Sequence, residues 1–338
     1  MPPRIGDVPL PRICPRFLTL RVAVRRFARG GGPAVLGVSG GPDSLMLAAA
    51  ALAEDVAVHA VCVDHGLQPG SGAQASRAAE QSRSMGATAE VVAVDPAAFA
   101  GSLESAARDA RYSALAEVAR RISAPVWVGH TLDDSAETMV LAALRGISGG
   151  LSEEGTVPGT AGTNAPVSLL RPFLRVRRAD TVGAAQELGL TPWQDPHNAD
   201  QGFRRVSVRG RIIPALSEMI GGDAVPPLAE ASAKATEDAE LLDALAADAL
   251  RRHRDHSGCT TPGSLPVSVG GEHPALRRRI LAHFLRANGA VVTARGIAGV
   301  DTLLTDWHGQ GPVAVGGTSD GRRLVVMRHN GILTVSAR

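Results

Sequence analysis

Residues Ala34-Val35-Leu36-Gly37-Val38 run directly into Ser39-Gly40-Gly41-Pro42-Asp43-Ser44, and that hexapeptide runs directly into Leu45-Met46-Leu47-Ala48-Ala49-Ala50. A short apolar run reads as a buried strand, and the longer alanine- and leucine-rich run as a helix. A buried strand that turns through glycine straight into a helix is the opening unit of an α/β layered fold. It also outlines an anion site. Turn glycines let the backbone approach an oxyanion, and the first N–H groups of the helix point at it. Ser39 and Ser44 offer hydroxyls to phosphate oxygens, and Asp43 a carboxylate that can hold magnesium against phosphates.

The common phosphate loop is excluded, because it needs Gly-Lys followed by Ser or Thr. Lys234 is the only lysine in the chain and lies far from the hexapeptide. Phosphate charge must instead be met by arginine, metal and backbone amides.

Strands and helices continue to alternate. Apolar runs at 34–38, 57–63, 89–94 and 125–129 read as strands, with 168–170 as a fifth. Between them, 43–53, 73–85, 103–121 and 133–145 read as helices, with Ser102 as an N-cap and Gly86 and Gly146 as stops. That order predicts a Rossmann-like parallel sheet with helices on both faces, which binds ligands at the carboxyl ends of its strands. Residues 146–167 read as a long Gly/Ser/Thr/Pro loop, of the kind that serves as a lid or stays irregular. Beyond Pro214 the alternation stops. Pro226-Pro227 reads as a linker opening a helix over 228–252. Two more helices are expected over 274–307 and a short antiparallel sheet over 312–336, turned at Asn330-Gly331. The expected organisation is an arm and helix over 1–32, an α/β domain over 33–220, and a smaller, mostly helical domain over 226–338.

Cys14, Cys62 and Cys259 stand alone, with no Cys-x-x-Cys, so a disulfide framework or zinc site is not expected and a reduced cytosol is. No apolar run reaches roughly 18 residues, so no membrane span is expected. The first residues mix arginine and proline rather than forming the apolar stretch of a signal peptide. Arginine outnumbers acid over 1–29, 171–211 and 251–295. Such clusters suit phosphate backbones, although a general preference for arginine over lysine would also produce them.

Three further segments fall at strand ends. Val63-Asp64-His65-Gly66-Leu67 closes the second strand; on its own it reads more readily as a polar turn with a solvated His. In the helix over 103–121, Arg108 and Arg111 share a face and could hold pyrophosphate or a carboxylate. In Gly129-His130-Thr131-Leu132-Asp133-Asp134-Ser135-Ala136-Glu137-Thr138, three carboxylates crowd one helical turn. The helix dipole favours acids there. Their mutual repulsion still calls for a cation, either magnesium or an ammonium group.

The hexapeptide resembles the pyrophosphate loop of the N-type ATP pyrophosphatases, which split ATP between its α and β phosphates. Together the four segments resemble the tRNA(Ile)-lysidine synthase family, as do Leu170-Arg171-Pro172-Phe173, Asp195-Pro196-His197-Asn198 and Phe203-Arg204-Arg205-Val206-Ser207-Val208-Arg209. The chain departs from that pattern at Thr131, where a second His is usual, and at Val206, where Asn is usual. The resemblance implies a cytoplasmic, often dimeric ligase that uses ATP and Mg2+. Such an enzyme adenylates the C2 oxygen of the wobble cytidine of tRNA(Ile) with a CAU anticodon. Free L-lysine then displaces AMP. It further implies that Ser39, Gly40, Gly41, Asp43 and Ser44 bind pyrophosphate, and that Asp64 and His65 lie by the adenosine. Asp43 and Asp133 would serve the metal, and Arg108 and Arg111 would act on phosphate. Arg111, Asp134 and Glu137 would hold lysine, and Arg171, Arg205 and Arg209 would grip tRNA.

Two other readings compete. Another ATP pyrophosphatase, such as a tRNA thiolase, would need persulfide or cluster chemistry that three scattered cysteines do not suggest. A non-catalytic RNA- or nucleotide-binding module would have no need of mutually repelling acids.

Overall fold

A computed structural model describes residues 4–99, 102–147, 149–160, 165–193, 204–257, 263–290, 292–317 and 322–337. The chain divides into two compact units, Met1–Thr236 and Glu237–Arg338. The division and the expected linker at Pro226-Pro227 both lie within one helix, Val225–Ser257.

The first unit opens with a hairpin, β1 (Arg4–Ile5) and β2 (Val8–Pro9), and helix α1 (Pro15–Ala28). Then come β3 (Pro33–Gly37), α2 (Pro42–Leu52), β4 (Ala57–Asp64), α3 (Ser71–Ser84), β5 (Thr88–Ala93), α4 (Leu103–Ile122), β6 (Val126–Trp127) and α5 (Leu132–Leu144). The unit ends with β7 (Glu154–Thr156), β8 (Ser168–Leu170), α6 (Arg178–Glu187), α7 (Arg204–Ser207), a π-helical turn at Val208–Ile212, α8 (Ile213–Ile220) and the start of α9 (Val225–Ser257). The central sheet has the order β5-β4-β3-β6-β8-β7 and is parallel except for β7, which pairs antiparallel with β8 at the edge. The parallel sheet is therefore as expected. The edge strand β7 lies in the stretch read as a lid or irregular loop.

Side chains of successive strand residues face opposite sides of the sheet. Ala34, Leu36 and Val38 pack with α1, α2, α3 and α6, whereas Val35 packs with Tyr112, Leu115 and Ala119 of α4. Helix α1 joins the first of these cores through fully buried Phe17, Leu20 and Val24. Its N-terminus lacks a cap of its own, so Glu187 of α6 accepts from the N–H groups of Arg16 (3.2 Å) and Phe17 (3.0 Å).

The second unit packs α10 (Pro274–Ala287) and α11 (Ala294–Thr305) on an antiparallel sheet of order β10-β11-β12-β9. Its strands are β9 (Ser264–Pro266), β10 (Val313–Gly317), β11 (Arg323–His329) and β12 (Ile332–Ala337). Ile280, Phe284, Val300, Leu303, Val326 and Leu333 fill its core. Asn330 and Gly331 both take positive φ and turn β11 into β12, as the Asn-Gly pair requires. The short strand β9 was not legible in the sequence. Among the described residues, no helix is long and apolar enough to cross a membrane.

Candidate active site

The loop Ser39–Ser44 joins β3 to α2 and is braced from within. The Ser44 hydroxyl donates to the Gly41 carbonyl (3.1 Å), accepts from the Ser39 N–H (3.1 Å) and lies 3.1 Å from the Ser39 hydroxyl. Gly40 has φ +83°, a left-handed backbone that favours glycine, with the end of the Gln74 side chain 2.7 Å from a would-be Cβ. Gly129, at the end of β6, is held to glycine by the close approach of the Asp43 carbonyl, 2.8 Å from a would-be Cβ. Gly41, the N-cap of α2, has no side chain, and among the described residues no other side chain bonds the N–H groups of the first turn. These N–H groups therefore stay available to an anion.

At the end of β4, the Asp64 carboxylate accepts from the Gly66 N–H (3.0 Å) and the Ser71 hydroxyl (2.6 Å). The Ser71 and Gly66 bonds hold its pKa below the usual carboxylate range. His65 Nδ1 accepts from the Leu67 N–H at 3.2 Å. Both side chains thus brace their own turn through one atom each, Asp64 Oδ1 and His65 Nδ1.

Helix α5 begins with a capping box. The Thr131 hydroxyl caps the Asp134 N–H, and Asp134 Oδ2 accepts from the Thr131 N–H and hydroxyl, both at 2.8 Å. Thr131, the departure from the family pattern, is thus a buried N-cap. The acids that follow are all paired with arginine. Glu137, fully buried, uses all four of its acceptor positions. Oε1 accepts from Arg178 Nη1 (2.9 Å) and Arg209 Nε (2.7 Å), and Oε2 from Arg205 Nε (3.1 Å) and Arg209 Nη2 (3.2 Å). Asp134 Oδ1 accepts from Arg178 Nη2 at 2.9 Å. Asp133 accepts from Arg177 Nε (3.2 Å) and from the Arg178 backbone N–H (2.8 Å). Asp43 accepts from the Thr181 hydroxyl and faces Arg178 Nε at 3.4 Å.

Burial would raise the Asp134 pKa. The Arg178 charge, with His130 and the Thr131 N–H behind it, instead brings it down to about 2. For Asp43 burial prevails over Arg178 and Thr181, and its pKa is raised. The Arg178 pKa is raised, because the Asp134, Glu137 and Asp43 charges outweigh its own burial. The cation that the acid row called for is therefore built into the chain. Arg178 was missed in the sequence because helix α6 was missed.

A second wall is different in kind. Arg108 and Arg111 of α4 lie over the Tyr112 ring, at 5.1 and 5.5 Å from its centroid. Among the described residues neither makes a salt bridge to a carboxylate. Arg111 keeps solvent-facing surface, yet protein surrounds it; burial first, then the Arg108 and Arg205 charges, lower its pKa. His130, at the end of β6, belongs to the same wall. Burial, then Arg171, Arg111 and Arg108, push its pKa down to about 3 against the pull of Asp134, so the ring is neutral at pH 7. Its Nδ1 accepts from Arg171 Nε (3.2 Å), which leaves the proton on Nε2.

Arg171 differs from its expected place. It is 8 % exposed and donates to His130 and, through Nη1, to the Ser152 carbonyl at 2.7 Å. A side chain held inside in this way does not present itself to RNA. The Tyr112 hydroxyl is buried beside Arg171. Arg205 and Arg209 are partly exposed and face Glu137. The segment Asp195–Asp200 and residues Phe203 and Cys259 lie outside the described residues.

Asp133, Arg178 and Arg209 line a cleft of about 500 Å³. A larger concavity in the second unit, about 850 Å³ between α11 and β10, is lined by neither carboxylate nor histidine, so the chemistry-bearing residues are not there. The described residues contain no cluster of three or more His, Cys, Asp or Glu arranged to hold a metal. That rules out a dedicated protein cage among them. It fits magnesium bound in its usual way, by one or two carboxylates together with substrate phosphates. Asp43, in the first turn of α2, is the carboxylate beside the loop, and Thr181 and Arg178 already bond it.

Comparison with known proteins agrees with this fold. A family described as a PP-loop domain matches residues 21–216, and one described as the TilS substrate binding domain matches 269–334. The chain is 46% identical over 332 residues to a tRNA(Ile)-lysidine synthase of Corynebacterium glutamicum, covering 98% of each chain. It is 47% identical over 336 residues to that of Corynebacterium efficiens, covering 99% of this chain and all of the other. Among solved structures, a U34-tRNA thiolase from Methanococcus maripaludis matches with a TM-score of 0.50 at 17% identity, covering 66% of this chain and 78% of that one; this is a likeness of fold alone. With close to half of its residues identical over nearly its whole length, the chain belongs to the tRNA(Ile)-lysidine synthase family.

Proposed function

We infer that this protein converts the wobble cytidine of tRNA(Ile) with a CAU anticodon to lysidine. The cytidine C2 oxygen attacks the α-phosphorus of ATP and pyrophosphate leaves. The amine of free L-lysine then attacks C2, and the C2–O bond breaks to release AMP. One observation carries the reading beyond the family match. A braced glycine loop with an uncapped helix behind it shares a unit with two arginines that no described carboxylate satisfies. Positioning and charge stabilisation then supply the catalysis.

In this reading Ser39, Gly40, Gly41 and Ser44 receive the pyrophosphate, and the turn at Asp64 and His65 meets the adenosine through its backbone. Arg108 and Arg111 take phosphate or lysine-carboxylate charge. Asp134 Oδ1, which accepts from one arginine, orients the lysine ammonium, and Glu137, whose acceptor positions are filled, acts on it through charge alone. Asp43 would hold magnesium, with Asp133 beside it, and the ion would neutralise phosphate charge. Arg205 and Arg209 each keep N–H groups that Glu137 does not use, and these can meet tRNA phosphates. A cytoplasmic homodimer belongs to the same reading.

Labelled lysine, ATP and magnesium with an isoleucine tRNA transcript bearing CAU provide the test, with the matching methionine tRNA as control. Label confined to the isoleucine transcript is expected. AMP and pyrophosphate formed without labelling would direct the search to another nucleophile.

A further inference from the structure

Helix α6 places one side chain at the centre of the acids. Arg178 is the first residue of that helix, and its side chain is 18 % exposed. Its three guanidinium nitrogens go to three carboxylates on two elements: Nε to Asp43 of α2 (3.4 Å), Nη2 to Asp134 (2.9 Å) and Nη1 to Glu137 (2.9 Å), both of α5. Its backbone N–H holds a fourth, Asp133, at 2.8 Å. Thr181, one turn on and fully buried, donates its hydroxyl to Asp43 and is also 2.8 Å from the Arg178 carbonyl. A planar fork with fixed donor directions can span three carboxylates; a lysine ammonium, as a point charge, cannot hold the same geometry.

We propose that Arg178 is a positioning residue for lysidine formation, the one guanidinium among the described residues that sets the pyrophosphate-loop carboxylate against the acids of α5. The assignment rests on the reading above, in which Asp43 serves ATP and Asp134 and Glu137 serve lysine. Adenylation and lysine attack act on the same cytidine C2 centre, so the two halves must be held in one register. Arg178 touches both halves. Helix α6 is anchored in turn through Ala184 and Ala185 in the main core and through the bonds of Glu187 to α1.

The experiment compares the full-length protein with Arg178→Ala and Arg178→Lys in the labelled-lysine assay, with and without millimolar guanidinium chloride, and follows thermal melting of each sample. A misplacement of about 1 Å costs on the order of a hundredfold in rate, and Arg178→Ala should lose about that much in kcat. Guanidinium, but not urea, should restore part of that kcat without moving the melting temperature. Arg178→Lys should recover less than the rescued alanine variant. Wild-type kcat in Arg178→Ala overturns the proposal, as does a loss that guanidinium leaves untouched in a folded protein. If the alanine variant does not fold, Arg178→Lys decides: a fall in kcat larger than the change in either KM supports positioning, and wild-type kinetics refutes it. Asp134→Asn and Glu137→Gln, run alongside, separate the two readings. An unchanged lysine KM in both would sink the lysine assignment while a guanidinium-rescued Arg178→Ala would still stand.

Discussion

Two groups of charge in the first unit follow opposite rules. On α5, four carboxylates counting Asp43 meet four arginines, and Glu137 has no acceptor position left. On α4, Arg108 and Arg111 face an aromatic ring and, among the described residues, no carboxylate. A buried charge network that is complete without ligand belongs to the framework that fixes geometry. A set of partly desolvated cations without counter-charge has a deficit that an anionic ligand fills. Residue type alone would have assigned both groups to ligands; the pairing pattern separates them.

That separation breaks most visibly at Glu137. Glu137→Gln leaves three guanidinium groups on a buried neutral amide. Removing one partner of a buried ion pair costs about 3–5 kcal/mol, and a loss of that size is expected in urea unfolding of the variant. A loss below about 1 kcal/mol, the range of surface pairs, would mean that the network is not structural.

Arg111→Ala should behave in the reverse way. Lysidine formation is expected to fall by about 10² to 10³ in kcat/KM, the scale of one removed charge-stabilising donor. Stability should hold or rise slightly, because the lost side chain is a cation with a desolvation cost and no described carboxylate partner. Paired activity and urea-unfolding measurements check this, and a variant that loses stability in proportion to activity would place Arg111 in the framework with Glu137.

Acid titrates the carboxylates of the α5 group, whereas Arg108 and Arg111 of the α4 group stay charged. Asp134 has a folded pKa of about 2 against an ordinary 3.8. Its contribution is therefore present above the unfolded value and is lost as pH falls from about 4 toward 2. The shift corresponds to about 2 kcal/mol. Wild type should exceed Asp134→Asn by roughly that amount at neutral pH, and the gap should close over that window. A gap constant with pH would assign the effect to packing or to the cap.

The sequence made the α4 group easier to read than the α5 group. Arg108 and Arg111 lie three apart on a long, well-capped helix, so their shared face could be read directly. The acids of α5 were equally visible, but their partners were not. Arg178 opens α6, Arg178–Glu187, where Val182, Ala184 and Ala185 are too small and too mixed with polar residues to give a helical stripe. Asp180 in its first turn and Gly189 just past its end, at φ +65°, were the available signals. Edge strand β7 is exposed along its whole length, so it has no inside–outside alternation to read. Arg171 looked like a surface cation because arginine usually is one. Its side chain is held inside by His130 and the Ser152 carbonyl, beside a backbone bond to the Glu153 carbonyl (2.8 Å), contacts that local spacing does not encode.

Thr131 gives the smallest effect and the finest discrimination. Its hydroxyl both caps the Asp134 N–H and turns Asp134 Oδ2 back onto the helix start. Thr131→Ala should lose about 1 kcal/mol of stability, the usual value of an N-cap, and Thr131→Ser should keep most of it. The capping box also orients the carboxylate that Arg178 grips. The losses from Thr131→Ala and Asp134→Asn should therefore overlap, with a double variant less destabilised than their sum by at least about 0.5 kcal/mol. Strict additivity in urea unfolding would mean that cap and ion pair act separately, and the acid row would then be two adjacent devices rather than one network.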